Sequence, residues 1–377
     1  MSQMPDSQHS TAQKIYDWYT KKSRPYRPHL GASVIGHSCD RYLWLTFRWA
    51  KQTDFPGRIL RLFETGNLEE IRIAKELKGI GVVLHTHDEK GSQIRCFDKS
   101  GHFGGSVDGV AKGFPEALKT WAVLEAKTHN SKSFKQLEKK GVLESKPRHY
   151  AQMQVYMGLM DLTRAMYFAV NKDTDDIYTE WVKFDATAFS RLSQRAEKII
   201  SATEPPLRVS ESADWWECRF CDFKTLCHGE EVAEANCRTC CHSTPVAEGQ
   251  WQCGKFDTDI NAPTQEIGCQ EHMYIPPLIP YAEPVDASDD WVEYAHKETK
   301  KTFKNGGANF RSTELQKMPP DSLGSGTVAE IKDAFPGAEV TRIVSTAGGD
   351  IRKIKKAPKR KKRVVSQDAI IDDEIPF

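Results

Sequence analysis

The chain has 377 residues, a formal net charge of +1 and 39% hydrophobic residues. That length allows one large domain plus one or two small ones. No apolar run approaches the length of a membrane span, and no signal-peptide pattern opens the chain. We therefore expect a soluble, cytoplasmic protein without a membrane partner. Its 10 cysteines, with no export signal, predict metal ligation before disulfides.

The first half of the chain alternates helical and β-rich patterns. Residues 1–30 form a polar N-terminal segment with a short amphipathic piece, and residues 31–230 predict an α/β domain. Expected helices are "RILRLFETGNLEEIRIAKELKGIG", "HYAQMQVYMGLM" and "DATAFSRLSQRAEKIISAT", the last with Asp185 as its N-cap. Expected strands are "GGSVDGVAKG", "WAVLEAKT" and a hairpin in "RAMYFAVNKDTDDIYTEWVKF".

Three further segments follow the α/β domain. Residues 231–285 combine a Cys/His-rich module with a Pro-rich linker from Ile275 to Pro284. Residues 286–345 predict a small α+β module bounded by turn sequences. Residues 346–377 predict a disordered tail, with nine basic residues between Arg352 and Arg363 and an acidic tip after them.

One predicted strand, "VLEAKTHN", carries two charges on a single face. Side chains alternate across a strand, so Glu125 and Lys127 project together. Such a pair is either a surface ion pair or half of a catalytic site. Asp108 lies upstream among glycines in "GGSVDGV". Asp and Glu carboxylates with the Ala126 carbonyl are suitable ligands for Mg²⁺ or Mn²⁺, and Lys127 could orient a nucleophile.

These residues resemble the motifs of the PD-(D/E)xK nuclease superfamily, in its RecB/AddB-like and lambda-exonuclease-like branch. Asp108 with Glu125-x-Lys127 matches the central motif. "GNLEE" is similar to the upstream G-x-x-x-E/H motif, with Glu70 as the metal ligand and Glu69 as the alternative. "YAQMQVYM" matches Q-x-x-x-Y through Gln152 and Tyr156. Glu rather than His at position 70 favours the lambda-exonuclease branch.

The resemblance covers about Ala32–Gly229 and implies a fold and an activity. The fold is a restriction-endonuclease-like central mixed sheet flanked by helices. The activity is Mg²⁺- or Mn²⁺-dependent hydrolysis of DNA, from an end, by a phage-type exonuclease in a bacterial host. A phage recombinase is a further expected partner. The alternatives are a DNA-binding accessory protein with a vestigial site and a CRISPR-adaptation nuclease.

The first cysteine set is "CRFCDFKTLC", with Cys218, Cys221 and Cys227. In AddB-like and CRISPR-adaptation nucleases such an array is completed by an N-terminal cysteine, here Cys39 in "GHSCDRYLWL". The resemblance implies a structural [4Fe–4S] cluster held by four thiolates. Spacing alone also allows a four-cysteine zinc site.

The second cysteine set predicts a tetrahedral zinc site in a small loop-rich module. The preferred ligands are Cys237, Cys240, Cys253 and Cys269, with His272 as the rival for the fourth position. Cys241 is an alternative to Cys240, and His242 is a weaker candidate. Cys96 stands alone in a strand-like run and is expected to be a buried apolar residue.

The chain ends in "DDEIPF", which resembles the acidic tip of bacterial single-stranded-DNA-binding protein. The matching residues are Asp372, Asp373, Glu374, Ile375, Pro376 and Phe377. The resemblance implies that host proteins reading that tip are partners, because acids and a terminal carboxylate meet basic residues while Phe377 fills an apolar pocket. The tip could instead fold back onto the basic segment Arg352 to Arg363.

Overall fold

The structure is a computed structural model of the chain. It describes residues 10–22, 25–307 and 309–323, with residues 332, 334 and 335. The basic segment and the acidic tip, for which we made predictions above, lie outside the described residues. Within the described part, no helix is both long and apolar enough to cross a membrane.

The described helices include three that match the predicted segments beginning at Arg58, His149 and Asp185, and others that were not predicted. They are α1 (Thr11–Thr20), α2 (Asp40–Phe47), α3 (Gly57–Gly79), α4 (Ser131–Ser145), α5 (Pro147–Leu159), α6 (Ala186–Ser201), α7 (Trp216–Arg219), α8 (Lys224–His228), α9 (Ala262–Ile267) and α10 (Ser312–Leu315). The predicted N-cap of α6 is confirmed, because Asp185 Oδ1 accepts hydrogen bonds from the backbone N–H groups of Thr187 (2.9 Å) and Ala188 (3.0 Å).

The strands lie in four sheets. They are β1 (Leu30–Gly31), β2 (Val83–His85), β3 (Arg95–Phe97), β4 (Phe103–Ser106), β5 (Gly109–Lys112), β6 (Ala122–His129), β7 (Arg164–Asn171), β8 (Ile177–Lys183), β9 (Ser243–Pro245), β10 (Trp251–Cys253), β11 (Thr258–Asp259), β12 (Ala282–Ala287), β13 (Val292–His296) and β14 (Thr302–Asn305). The β7–β8 hairpin is where the sequence predicts it.

Packing divides the chain into two compact units. Among the described residues, the first comprises those up to His37 together with Thr53–Lys198, and the second comprises Ser38–Gln52 together with those from Ile199 onwards. The domain boundaries given above stay predictions, because a compact unit need not coincide with a domain that folds alone.

The first unit contains a mixed five-stranded sheet in the order β2-β5-β6-β7-β8. Only the central pair, β6 and β7, is parallel among these described strands, and the other pairings are antiparallel. A small sheet in the order β1-β4-β3 lies in the same unit. The expected mixed α/β architecture is therefore present.

The two faces of β6 bury different chemistry. Ala122, Leu124 and Ala126 pack into an apolar core with α3, through Ile73 and Leu77 among others. The opposite face carries Glu125 and Lys127, as the period of two predicts. It is also buried, because α4 and α5 contact β6 from that side. The alternation in the sequence is thus a change of chemistry between two buried faces, rather than a change from core to solvent.

The second unit contains the remaining small sheets, in the orders β11-β10-β9 and β12-β13-β14. The Pro-rich segment Ile275–Pro284, expected as a linker, is packed: Leu278 and Ile279 are fully buried, and β12 begins within the segment at Ala282. Local composition pointed to a linker because prolines interrupt helices and strands. Burial of the apolar residues between the prolines overrides that tendency.

Candidate active site and cysteine clusters

A buried ion pair forms the centre of the candidate active site. Glu125 is 0% exposed, and its Oε1 lies 2.6 Å from Lys127 Nζ. Neither carboxylate oxygen of Glu125 has a hydrogen bond of good geometry among the described residues. A buried carboxylate normally accepts several hydrogen bonds, so this one is under-satisfied. The site therefore has unused capacity for a cation.

Asp108 joins this pair from the turn before β5. Its Oδ2 accepts a hydrogen bond from the backbone N–H of Ala126 (2.8 Å) and lies 3.7 Å from Lys127 Nζ. Lys127 Nζ also donates to the Ala126 carbonyl (3.1 Å), the group that the sequence suggested as a metal ligand. Asp108 and Lys127 are thereby tied to the middle of β6.

The charges of Asp108 and Lys127 also act on Glu70 of α3. Burial, followed by the negative charge of Asp108, raises the pKa of Glu70 from 4.5 to about 7, and Lys127 opposes the change. The adjacent Glu69 instead pairs with Arg72 (2.7 Å) on the helix. The structure therefore brings Glu70, and not Glu69, to the charges of Asp108 and Lys127.

Burial and neighbouring charges also shift the pKa values of the central pair, Glu125 and Lys127. Burial, with the charges of Asp108 and Glu70, raises the pKa of Glu125, although Lys127 opposes this. Burial alone would lower the pKa of Lys127, but the neighbouring carboxylates outweigh burial and raise it. Lys127 is thus held as a cation between acids that repel one another.

Gln152 and Tyr156 lie one turn apart on α5 and are both buried. The hydroxyl of Tyr156 donates to the Ser106 carbonyl (2.7 Å). A Cβ on Gly105 would lie 2.9 Å from that hydroxyl, so glycine there permits the close approach of α5 to β4. Burial, followed by the charges of Glu125 and Asp108, raises the pKa of Tyr156 well above its usual value.

A buried polar network that was not predicted from the sequence includes His129, which follows Lys127 on the same face of β6. His129 Nε2 and His149 Nδ1 each lie 2.8 Å from the hydroxyl of Tyr167. Lys146 Nζ donates to Ser133 Oγ, which contacts His129 Nδ1 at 3.3 Å. Burial, and then the charge of Lys127, lowers the pKa of His149 well below its usual value. His129 lies on the same face of β6 as Glu125 and Lys127, two positions further on. This alternation is the sequence signal that could have predicted a role for His129 near the site.

The first cysteine set is brought together within the second unit. Cys39 precedes α2, where its sulfur accepts a hydrogen bond from the Tyr42 backbone N–H (3.4 Å). Burial is the largest cause of the raised pKa of the Cys218, Cys221 and Cys227 thiols, and in each case the charge of Cys39 adds to it. The four sulfurs are thus near enough to interact.

The second cysteine set lines one cavity, together with His242 and His272. None of the 10 cysteines forms a disulfide. Cys96 is buried in β3, as expected, and burial raises its pKa to about 12. As the side chains stand, no three His, Cys, Asp or Glu residues in the described ranges converge into a ready-made metal site.

Comparison with known proteins gives no assignment of family. No family model matches the chain, and no curated protein matches it. Solved structures with some similarity include SSO0001, at 14% identity and a TM-score of 0.35, over 58% of this chain and 96% of the other.

An alkaline exonuclease from Laribacter hongkongensis (LHK-Exo) is also similar. It matches at 15% identity over 49% of this chain and 89% of the other, with a TM-score of 0.32. The LHK-Exo complex with dAMP has the same identity and coverage and a TM-score of 0.35. Similarity at this level does not establish an activity for this chain.

Proposed function

We propose that the first unit is a metal-dependent deoxyribonuclease that degrades DNA from an end. The observation that carries this proposal is the buried Glu125–Lys127 pair, with both Glu125 oxygens short of hydrogen bonds and the charges of Asp108 and Glu70 directed at the same place. Buried ionisable groups with strongly shifted pKa values are typical of catalytic sites.

The residues present fit a hard divalent cation, Mg²⁺ or Mn²⁺. Asp108, Glu125 and Glu70 would hold it, since oxygen ligands suit such ions and a cation would relieve the repulsion among these acids. The ion would supply a water of lowered pKa and charge stabilisation at the phosphate.

The other residues hold and orient this centre. Glu125 and Asp108 fix the ammonium of Lys127, which would orient the attacking water and offset negative charge on the phosphate. Tyr156 holds α5 against β4 through the Ser106 carbonyl, and Gln152 on the same face of α5 would lie at the edge of the site. Exonuclease mode and the lambda-exonuclease-like branch are supported by the G-x-x-x-E and Q-x-x-x-Y resemblances.

The test is digestion of end-labelled linear and closed circular DNA with Mg²⁺. The wild-type protein should degrade the linear DNA and spare the circle. Lys127→Ala and Asp108→Asn should each lose activity on the order of a thousandfold, because transition-state charge is no longer stabilised. Lys132→Ala, which removes an exposed lysine of the same region, is the control and should cut normally.

Two outcomes would contradict the proposal. Variants that cut at the wild-type rate would show that the site is elsewhere. A wild-type protein that binds DNA but does not cut it with Mg²⁺ or Mn²⁺ would favour the DNA-binding accessory protein.

We also propose a structural [4Fe–4S] cluster at Cys39, Cys218, Cys221 and Cys227. Arg41 and Arg208 supply positive charge next to Cys227, and such charge would stabilise a set of thiolates. A cluster would tie α2 to the segment with α7 and α8, which Tyr42 of α2 also contacts through the Phe223 ring (5.4 Å between ring centroids). Iron should be present in the wild-type protein and absent in Cys39→Ser.

We propose, finally, that the acidic tip recruits host proteins that recognise the tip of single-stranded-DNA-binding protein. The support is the sequence of Asp372 to Phe377 alone. Recruitment would bring repair or replication factors, or a phage recombinase, to DNA that the nuclease is resecting.

A further inference from the structure

The second unit contains a small cavity bordered by sulfur. Cys237, Cys240, Cys253 and Cys269 all line it, and its free volume is about 20 Å³. That space suits about one water molecule or one ion. The four residues come from three pieces of chain: Cys237 and Cys240 are three positions apart, Cys253 lies on β10, and Cys269 follows α9, so the fold brings the three pieces together.

The chain segments that present these sulfurs are held firmly. Cys237 begins a 3-10 helix, and the next residue of that helix, Arg238, is 1% exposed. The Arg238 guanidinium lies 3.7 Å from the Trp49 ring centroid, and its Nε donates to Gln265 Oε1 (2.8 Å). Cys253 ends β10, whose pairing with β9 fixes its position. A cavity with walls held in this way is pre-organised for a ligand.

The two histidines at the cavity differ in their availability. His272 Nδ1 lies 2.7 Å from Ser312 Oγ, and its Nε2 lies 3.1 Å from Thr239 Oγ1, so both nitrogens are engaged. His242 Nε2 is buried without a hydrogen-bond partner among the described residues. An orphaned polar atom at a sulfur-lined cavity indicates that a component is missing there.

Cys241 can be separated from the set. It is exposed and does not line the cavity, whereas its neighbour Cys240 is buried and does. Lys255 also lines the cavity, and its Nζ lies 3.0 Å from a carboxylate oxygen of both Glu271 and Asp290. Its charge is thus already paired, which leaves the sulfurs as the ligands for a cation there.

We propose that this cavity is a structural zinc site with Cys237, Cys240, Cys253 and Cys269 as its four ligands. Tetrahedral sulfur coordination is the arrangement that zinc prefers, and small loop-rich modules use it in place of a large apolar core. His272 stabilises the site through Thr239 and Ser312 without binding the metal. The inference does not rest on the nuclease proposal.

Metal analysis of the full-length protein, purified without chelators, tests the ligand set. The wild-type protein should contain one zinc in this site, and Cys253→Ser and Cys269→Ser should each lose it. Cys241→Ser and His242→Ala should retain it. Cys39→Ser is a second control, and it should lose iron while keeping zinc. A wild-type protein without zinc after reconstitution with ZnCl₂ under reducing conditions would overturn the site.

Zinc loss in His242→Ala or Cys241→Ser would overturn the proposed ligands, and so would zinc retention in Cys253→Ser or Cys269→Ser. If the cysteine variants do not fold, Co²⁺ exchange into the wild-type protein decides. Four thiolate ligands predict a tetrahedral Co²⁺ spectrum with charge-transfer absorption corresponding to four sulfurs. A spectrum corresponding to three sulfurs and one nitrogen would reject the proposal.

Discussion

At the scale of single residues, the candidate site depends on acids kept where ionisation is unfavourable. Glu125 is fully buried, and the pKa of Glu70 is raised to about 7 by burial and by Asp108. A carboxyl group whose pKa is raised on folding binds its proton more tightly in the folded than in the unfolded protein. The metal-free protein should therefore lose stability as the pH rises from about 4.5 to 7. A divalent cation would replace the proton and reverse that loss.

Glu70→Gln should remove part of this pH dependence. In the presence of EDTA, the free energy of unfolding of the variant should fall less between pH 4.5 and 7 than that of the wild-type protein. The difference has an upper limit of about 1.4 kcal/mol per pH unit for one proton. Denaturant unfolding at a series of pH values measures it.

Glu69→Gln is the matched control, because Glu69 pairs with Arg72 on the helix surface. It should keep the wild-type slope. Equal slopes for Glu70→Gln and the wild-type protein would show that Glu70 carries no unfavourable charge. Stabilisation by Mg²⁺ should increase with pH in the wild-type protein and be weaker in Glu70→Gln.

At the scale of elements, α5 carries two buried glutamines with different expected roles, one structural and one in the candidate site. Gln154 is fully buried: its Nε2 donates to the Lys183 carbonyl (2.9 Å), and its Oε1 accepts from the Asp185 backbone N–H (2.8 Å). It thus joins α5 to the end of β8 and the start of α6. Gln152 lies two positions away, on the face that also carries Tyr156.

Gln154→Ala should therefore lower stability by about 1–3 kcal/mol, because two hydrogen bonds from a buried side chain to the backbone are lost. Gln152→Ala should instead reduce DNA cleavage while leaving most of the stability intact. Thermal unfolding and cleavage rates of both variants distinguish the two effects. A Gln152 variant that unfolds as readily as the Gln154 variant would assign both residues to packing.

At the scale of the whole molecule, the most basic segment and the acidic tip both lie outside the described residues. The net charge of +1 conceals the nine basic residues from Arg352 to Arg363 and the acids of the tip. Recruitment and fold-back make different predictions for deletion of Phe377. Recruitment predicts loss of the captured host proteins and unchanged cleavage of naked DNA.

Fold-back predicts tighter DNA binding by the truncated protein, because the basic segment would be released to contact phosphate. Affinity for a host partner should be roughly micromolar and should weaken with salt, since a disordered peptide loses entropy on binding and its acids are screened. Pull-down and DNA-binding titrations measure both. No change in either would mean that the tip has no such role.

The sequence by itself determined several helices and strands of the first unit, and which candidate residues share a face of them. Alternation placed Glu125 and Lys127 on one face of β6, helical spacing placed Gln152 and Tyr156 on one face of α5, and Asp185 marked the start of α6. These features depend on local backbone geometry, which repeats every two or 3.6 residues whatever surrounds it. Turn residues and caps acted in the same local way.

Tertiary structure alone decided burial and the choice among neighbours. It distinguished Glu70 from Glu69, Cys240 from Cys241 and Gln152 from Gln154, and it packed the segment that composition suggested was a linker. The network of His129, His149 and Tyr167 was not predicted, since its members are far apart in the chain. Desolvation and ion pairing depend on which distant segments meet, and no local pattern of residues encodes that.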